Sequence, residues 1–412
     1  MARAVCDAQA MEHTLKPAHR SAVTLTALAY IPAVLSMMTV GVIVPFIDTL
    51  QGDLGTSRAQ LGLAIALFSV PAAILATMGG GLIDRYGVRR FMLIAVGIAA
   101  LGSLLASRAP SLPALDAGML VAGFGFGALC VASPCLIMLA LSGAARIRAM
   151  SFASTFAPTG YAAGLLLAVP FTGSGHWRVA LLTHAALFAI CFAALFIFLP
   201  RIQSNIGGGT RESLRHSLGR ILSIFREPRA IRLAIAVALP NAVSYGTSLA
   251  APSYLARVHH LSIATSSASV AIAKLAAMII GGLCMGYLLS RAMRPALLFM
   301  VMAAIGVLAQ TILFLPASGM ALATMALVLW LFSFGGMAGG AMTLLPSVAG
   351  DPSRSGAASG LVNQFISLAS FAAPSTWLAL QDGVQYVLLA TTCLLISCLA
   401  LPTARAASLV RQ

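Results

Sequence analysis

The sequence predicts an all-α membrane protein whose twelve transmembrane helices form two six-helix bundles. Three observations lead to this fold class. The 412 residues are 60% hydrophobic and only 8% charged, whereas soluble domains are roughly one-quarter charged. The apolar residues fall into long runs that are nearly free of charge. One long polar gap, over 200–232, divides those runs into two sets of six.

Each run has the length that an α-helix needs to cross the hydrocarbon core of a bilayer, roughly 20 residues. The runs lack the alternation of polar and apolar residues that marks a membrane β-barrel, and a helix satisfies its own backbone hydrogen bonds in lipid. We therefore predict spans near 22–46, 61–82, 91–106, 112–140, 150–170 and 179–199, and then near 233–254, 264–289, 296–315, 320–345, 357–377 and 384–401.

The same pattern predicts five segments. A tail covers 1–20, a first bundle 21–200, a linker 201–232, a second bundle 233–402 and a final tail 403–412. The linker carries seven arginines and two acidic residues. Its residues 211–225 fit a basic amphipathic helix lying on an anionic membrane surface.

The formal net charge of +15 indicates membrane topology rather than nucleic-acid binding, because Lys and Arg stand between apolar runs instead of clustering with aromatic residues. If the amino terminus is cytoplasmic, loops on that side hold 20 of the 25 Lys and Arg residues, and opposite loops hold four. This asymmetry predicts a multi-pass protein of a bacterial-type cytoplasmic (inner) membrane with both termini cytoplasmic. We expect no cleaved signal peptide, since the first apolar run is too long for one.

The loop between the second and third predicted spans carries a motif whose residue types each have a physical explanation. It reads Gly-Gly-Leu-Ile-Asp-Arg-Tyr-Gly-Val-Arg-Arg over 80–90. Its glycines permit close helix approach and a tight turn, its acid can pair with a cation or a helix N-terminus, and its arginines mark the cytoplasmic side. These residues are Gly80, Asp84, Arg85, Gly87, Arg89 and Arg90.

This loop closely resembles the signature of the major facilitator superfamily, in which it acts as a conformational latch. Val88 departs from the signature, because the family has a basic residue there. A degenerate copy, Gly286, Leu288 and Arg291, follows 206 residues later with Ser290 in place of the acid. The resemblance implies a secondary transporter made of two homologous halves, with a solute site at the midplane lined by spans 1, 4, 7 and 10 and their neighbours.

Polar residues inside spans are the candidates for binding solute or for coupling. Lys274 lies about ten residues into the eighth span, where a charge costs roughly 2.5–3.5 kcal/mol, and an anionic ligand is one way to offset it. Asn241 and Tyr245 share a face of the seventh span just after Pro240. The weaker candidates are Asn363, Gln364 and His184. For every one of them the alternative is a structural hydrogen bond or ion pair between helices.

Several absences narrow the chemistry. All ten acidic residues lie outside the middle of the apolar runs, so a buried carboxylate that carries protons is not evident. If transport is coupled to protons, Asp48, Asp116 or His184 would have to bind and release them. The sequence has neither a phosphate-binding Gly-x-x-x-x-Gly-Lys loop nor Cys and His residues at metal-ligand spacing. We therefore expect no cofactor and no metal, and we predict a monomer.

The leading hypothesis is a permease that exports an amphipathic or metal-chelating compound, of the drug or siderophore type. Uptake or exchange of a small anion is the alternative, favoured by Lys274. A membrane-embedded enzyme needs a His beside an acid on one face, yet the one His pair, His259–His260, has no acidic neighbour. A transporter-like sensor ranks lower, because we expect no appended signalling domain. The chain is thus predicted not to be an enzyme.

Overall fold

The computed structural model describes residues 21–200, 227–291, 293–342, 344 and 355–401, with the side chains of 76–81, 84, 147, 341–342 and 355–360 excepted. The predicted tails, most of the linker and its amphipathic helix at 211–225 lie outside the described residues.

The first half of the described chain contains nine α-helices. A 3-10 turn, Val44–Phe46, joins the first two into one apolar segment, Ala22–Leu54. The helices are α1 (Ala22–Ile43), α2 (Ile47–Leu54), α3 (Arg58–Leu67), α4 (Val70–Tyr86), α5 (Val88–Ser107), α6 (Leu112–Ala140), α7 (Gly143–Ala153), α8 (Phe156–Thr172) and α9 (Trp177–Phe198).

The second half contains six α-helices, α10 (Pro228–Val258), α11 (Ile263–Ser290), α12 (Pro295–Leu313), α13 (Met320–Met342), α14 (Ser355–Ala379) and α15 (Gly383–Ala400). The first of them begins at Pro228, five residues before the predicted start of the second bundle at residue 233. Proline suits this position, because it lacks the N–H that a first helical turn leaves unpaired.

The number of membrane-spanning helices is close to the prediction. Ten described helices are long and apolar enough to cross a membrane, or eleven if the bent pair α7–α8, with 44° between its helices, forms one span. Helix α14 has 25 residues but is not among them, because Asn363, Gln364 and several serines make it less apolar. The fold is a polytopic α-helical bundle, as predicted.

Helix pairs in the first half have counterparts in the second. In the first half α5 packs on α6, α1 on α8, α5 on α9 and α4 on α6. In the second half the matching pairs are α12 with α13, α10 with α14, α12 with α15 and α11 with α13. Two further pairs, α3 with α14 and α8 with α11, join the halves to each other. This pattern is what a duplicated six-helix unit produces.

The loops fall on two sides of the bundle. We call the side with the α4–α5 turn and the ends of α9 and α15 the basic side, and the other the opposite side. On the basic side, Arg89 donates to the carbonyls of Phe196 and Leu199. On the opposite side, Asp48 pairs with Arg58, and Trp177 donates to Asp53.

Candidate solute-binding cavity

A cavity of about 630 Å³ lies between the two halves, at mid-height of the bundle. Residues of α1, α6, α10 and α13 line it, together with residues of the α3–α4 break, α8, α11 and α14. Its apolar wall includes four phenylalanines and two methionines, namely Phe68, Phe126, Phe156, Phe334, Met37 and Met278. The cavity therefore occupies the place expected for the solute site.

Among the described residues that line this cavity, Lys274 is the one with a charged side chain. It is only 7% exposed. Its Nζ donates to Ser248 Oγ at 2.7 Å and lies 4.4 Å from the centre of the Tyr161 ring, in cation–π geometry. The Tyr161 hydroxyl in turn donates to the Ser248 carbonyl at 2.6 Å. Lysine and serine belong to the second half and tyrosine to the first, so this group of three joins the halves.

No carboxylate of the described residues pairs with Lys274. The ion pairs among those residues are Arg58–Asp48 and Arg178–Asp53, both on the opposite side. A hydroxyl and a ring face offset only part of the cost of burying an ammonium group. The site therefore favours a ligand that brings negative charge to Lys274.

Three other predicted residues share this cavity. Asn241 lies on its wall and donates to Ser370 Oγ at 3.1 Å, within the second half. Tyr245 reaches across the interface to the Ser69 side chain of the first half. Asn363 is exposed and faces the same space. The structure thus brings four of the six candidates together.

The remaining two candidates lie elsewhere. Gln364 is not part of the cavity wall, and its Nε2 donates to the Ala73 carbonyl at 3.4 Å across the interface. His184 is fully buried inside the first half, where Nδ1 is 3.2 Å from Ser103 Oγ and Nε2 is 2.9 Å from the Leu35 carbonyl. Both ring nitrogens are occupied, so the geometry favours the structural alternative for this histidine.

The motif residues whose side chains are described make contacts within the first half. Gly87 has φ +78°, a backbone conformation that glycine adopts without strain. Arg89 binds two carbonyls at the end of α9, at 2.7 and 2.8 Å, inside its own half. Arg85 and Arg90 are exposed. Gly80 is helical, whereas its surroundings and the Asp84 side chain lie outside the described part of the chain.

The degenerate copy makes a weaker set of contacts. A Cβ placed on Gly286 would meet nothing within 4 Å, so this glycine does not serve close helix packing. Leu288 packs against the larger hydrophobic core, and Arg291 donates to the Tyr287 hydroxyl at 2.8 Å within the same segment.

Tight packing closes the cavity toward the opposite side. Gly62, in the middle of α3, lies against α14 near its end, where an added Cβ would come within 2.6 Å of the Pro374 carbonyl oxygen. The Tyr161–Ser248 hydrogen bond and the α8–α11 contact reinforce this side.

Sequence reasoning missed most of the wall. The four phenylalanines gave no signal, because aromatic residues in apolar spans are ordinary lipid-facing or core residues. Tyr161 could have been found from the sequence, because its hydroxyl is a polar group inside the predicted span 150–170. Its role depends on α11 approaching α8, which one sequence cannot show.

Comparison with known proteins gives a consistent result. The model of the Major Facilitator Superfamily matches residues 29–374. The chain is 32% identical over 170 residues to the cephamycin export protein CmcT of Amycolatopsis lactamdurans, which is 40% of this chain and 35% of that protein. It is 26% identical over 177 residues to the uncharacterized MFS-type transporter YfiU of Bacillus subtilis (strain 168), 40% of this chain and 34% of that one. These matches span about a third of each relative.

Solved structures share the fold at low identity. A bacterial homolog of the human lysosomal transporter Spinster, inward-facing and unoccupied, matches with a TM-score of 0.72 at 16% identity over 93% of this chain and 95% of that one. The inward-open xylose transporter XylE from E. coli gives 0.71 at 16%, over 94% and 98%. The nucleoside transporter NupG gives 0.71 at 14%, over 92% and 98%. With a duplicated bundle, a cavity between its halves and a family model over most of its length, the chain belongs to the Major Facilitator Superfamily.

Proposed function

We propose that this protein exports an amphipathic small organic compound across the cytoplasmic membrane by alternating access. In this mechanism the halves rock about the cavity, so that it opens to one side at a time. The positive-inside rule places the basic side in the cytoplasm. In the conformation that is closed on the opposite side, the cavity would then receive solute from the cytoplasm.

The composition of the cavity wall carries this proposal. Phenylalanine and methionine side chains provide an adaptable apolar surface, and polar side chains beside them can orient a bound molecule. The wall also has eight polar side chains, seven of them in the second half, and these can hold the polar part of an amphipathic molecule. An amphipathic compound, including a metal chelator of the siderophore type, needs the combination found here.

The direction of transport has separate support. The 32% identity is to a protein whose name states that it exports cephamycin. That similarity covers 40% of this chain, so it supports export without identifying the solute. Protons are the candidate coupling ion, although Asp48 is already paired with Arg58.

Lys274 favours a second candidate, uptake or exchange of a small anion. A buried ammonium group without a carboxylate partner attracts any anionic solute, whatever its apolar part. The two candidates differ in what the apolar wall contributes. An amphipathic solute needs both Lys274 and the phenylalanines, whereas a small anion needs mainly the lysine.

Flux in everted membrane vesicles tests the export proposal. Vesicles with the protein should accumulate a fluorescent amphipathic acid faster than vesicles without it. Since a hydrogen bond to a charged group contributes about 1.5–3 kcal/mol, Lys274→Met should slow this flux about tenfold or more, and the flux of a neutral analogue much less. The matched control is Arg108→Gln, a charge removed outside the cavity.

Equal accumulation with and without the protein, across drugs, chelators and organic acids, would contradict export. If instead right-side-out vesicles take up a small inorganic or carboxylic anion, and Lys274→Met abolishes that uptake, the second candidate is correct. Phe126→Ala then distinguishes the two again, because it should weaken transport of an amphipathic solute and leave small-anion uptake nearly unchanged.

A further inference from the structure

A second, polar recess of about 600 Å³ lies on the opposite side, away from the solute cavity. The first half contributes Asp48, Gln51 and Arg58, and the second half contributes Arg257, Leu380 and Gln381. We call it the Arg58–Arg257 recess. Because its two walls belong to different halves, it exists in this form only while the opposite side is closed.

The recess carries an excess of positive charge. Arg58 donates through Nε and Nη2 to the same oxygen of Asp48, at 3.0 and 2.5 Å, so one arginine is neutralised. Arg257 is exposed and forms no ion pair with an acid of the described residues. Arg58 and Arg257 line the same recess, one from each half.

This arrangement has an energetic consequence for the conformational cycle. Closing the opposite side brings Arg257 of the second half toward the Arg58–Asp48 pair of the first, which leaves the recess with one unbalanced positive charge. An anion bound in the recess would balance that charge. Arg58 has further N–H groups besides those bound to Asp48, and the amides of Gln51 and Gln381 supply more donors.

We propose that the Arg58–Arg257 recess binds a small oxyanion, such as phosphate, sulfate or a carboxylate, which stabilises the conformation closed on the opposite side. The anion is held by the arginines of both halves and leaves when they separate. The proposal rests on the alternating access proposed above, but it concerns a site separate from the solute cavity. The oxyanion comes either from the medium or from the carboxylate of a departing solute.

The test measures how often the opposite side opens. Ala66 is fully buried and lies one helical turn after Gly62, on the same face of α3. In the full-length protein in liposomes, a cysteine in its place should react with a membrane-impermeant maleimide only when the halves part. The unchanged protein, with its own seven cysteines, gives the background. Phosphate, sulfate and acetate are compared with chloride at equal ionic strength.

Phosphate should slow labelling of Ala66→Cys about threefold, the size of effect expected for one exposed charge interaction. Adding Arg257→Gln should abolish the effect of phosphate on labelling. Adding Arg108→Gln, which removes an arginine from the same side outside the recess, should leave the phosphate effect intact. Acetate acting like phosphate would assign the site to carboxylates as well; inactive acetate would limit it to inorganic oxyanions.

The proposal is overturned if no oxyanion changes the labelling rate, or if Arg257→Gln and Arg108→Gln respond alike. Binding of radiolabelled phosphate to the purified protein is an independent measurement, and a lack of saturable binding also overturns it. Neither readout requires transport. A normal phosphate response in a protein that exports nothing would therefore defeat the export proposal and leave this one standing.

Discussion

The two halves each bury a polar, basic side chain inside an apolar helix, and they use it differently. His184 lies within the first half, with both nitrogens occupied by Ser103 and Leu35. Lys274 lies at the interface, where a serine of its own half and a tyrosine ring of the other half hold it. Lys274 also lines the solute cavity.

This comparison indicates that a polar group's position relative to the interface between the halves, more than its residue type, decides whether its role is structural or functional. A contact within one half is kept throughout the cycle and contributes to stability. A contact between halves must form and break, so it sets the balance between conformations. Paired substitutions that share chemistry but differ in location can test this rule.

Glycines give the largest expected contrast. A side chain on Gly62 would strike the α14 backbone of the other half, and one on Gly102 would strike the α6 backbone at Ala122 inside its own half. Overpacking costs about 1–3 kcal/mol. Gly62→Val should therefore speed labelling of Ala66→Cys about tenfold and reduce transport. Gly102→Val should lower the thermal midpoint instead.

Gly52→Val is the matched control, because a Cβ there meets nothing within 4 Å. It should change neither the labelling rate nor the thermal midpoint. If Gly62→Val lowers the midpoint as much as Gly102→Val and leaves labelling unchanged, contacts within and between halves are not distinguishable in this way.

His184→Ala gives the next largest effect. It would leave the Leu35 carbonyl and Ser103 without a partner in a fully buried place, which costs about 1–3 kcal/mol. We expect a lower thermal midpoint and an unchanged transport rate per folded molecule. His176→Ala, at an exposed loop position of the opposite side, should change neither quantity. A transport loss with normal stability would return His184 to the list of coupling residues.

The fold was largely predictable from the sequence. The apolar runs fix the spans, because no other spanning structure satisfies the backbone in lipid. Local breaks were not predictable. One span was predicted near 150–170, yet α7 ends at Ala153 and α8 begins at Phe156. Phe68 and Ser69 likewise interrupt the second span.

The candidate site was predictable only in its polar part. Lys274, Asn241 and Tyr245 stood out because polar groups in a span are costly. Polarity alone did not separate them from His184, because that histidine is also a polar group inside an apolar span. The phenylalanines of the wall, and the pairing of Lys274 with Tyr161, depend on which helices approach each other.

The smallest expected contrast concerns two arginines on the basic side, one in each half. Arg89 donates to carbonyls at the end of α9 at 2.7 and 2.8 Å, and it lies over the Phe196 ring. Arg232 donates to three carbonyls at the end of α15, at the longer distances of 3.2 to 3.4 Å. A cation at a helix C-terminus contributes about 0.3–1 kcal/mol.

Arg89→Met should therefore lower the thermal midpoint more than Arg232→Met, and Arg90→Met, which removes an exposed arginine beside Arg89, should lower it least. None of the three should alter labelling of Ala66→Cys, because Arg89 and Arg232 bind carbonyls of their own halves. If Arg89→Met instead speeds or slows that labelling at normal stability, this arginine acts between halves. The latch role that the motif implies would then apply to Arg89 itself.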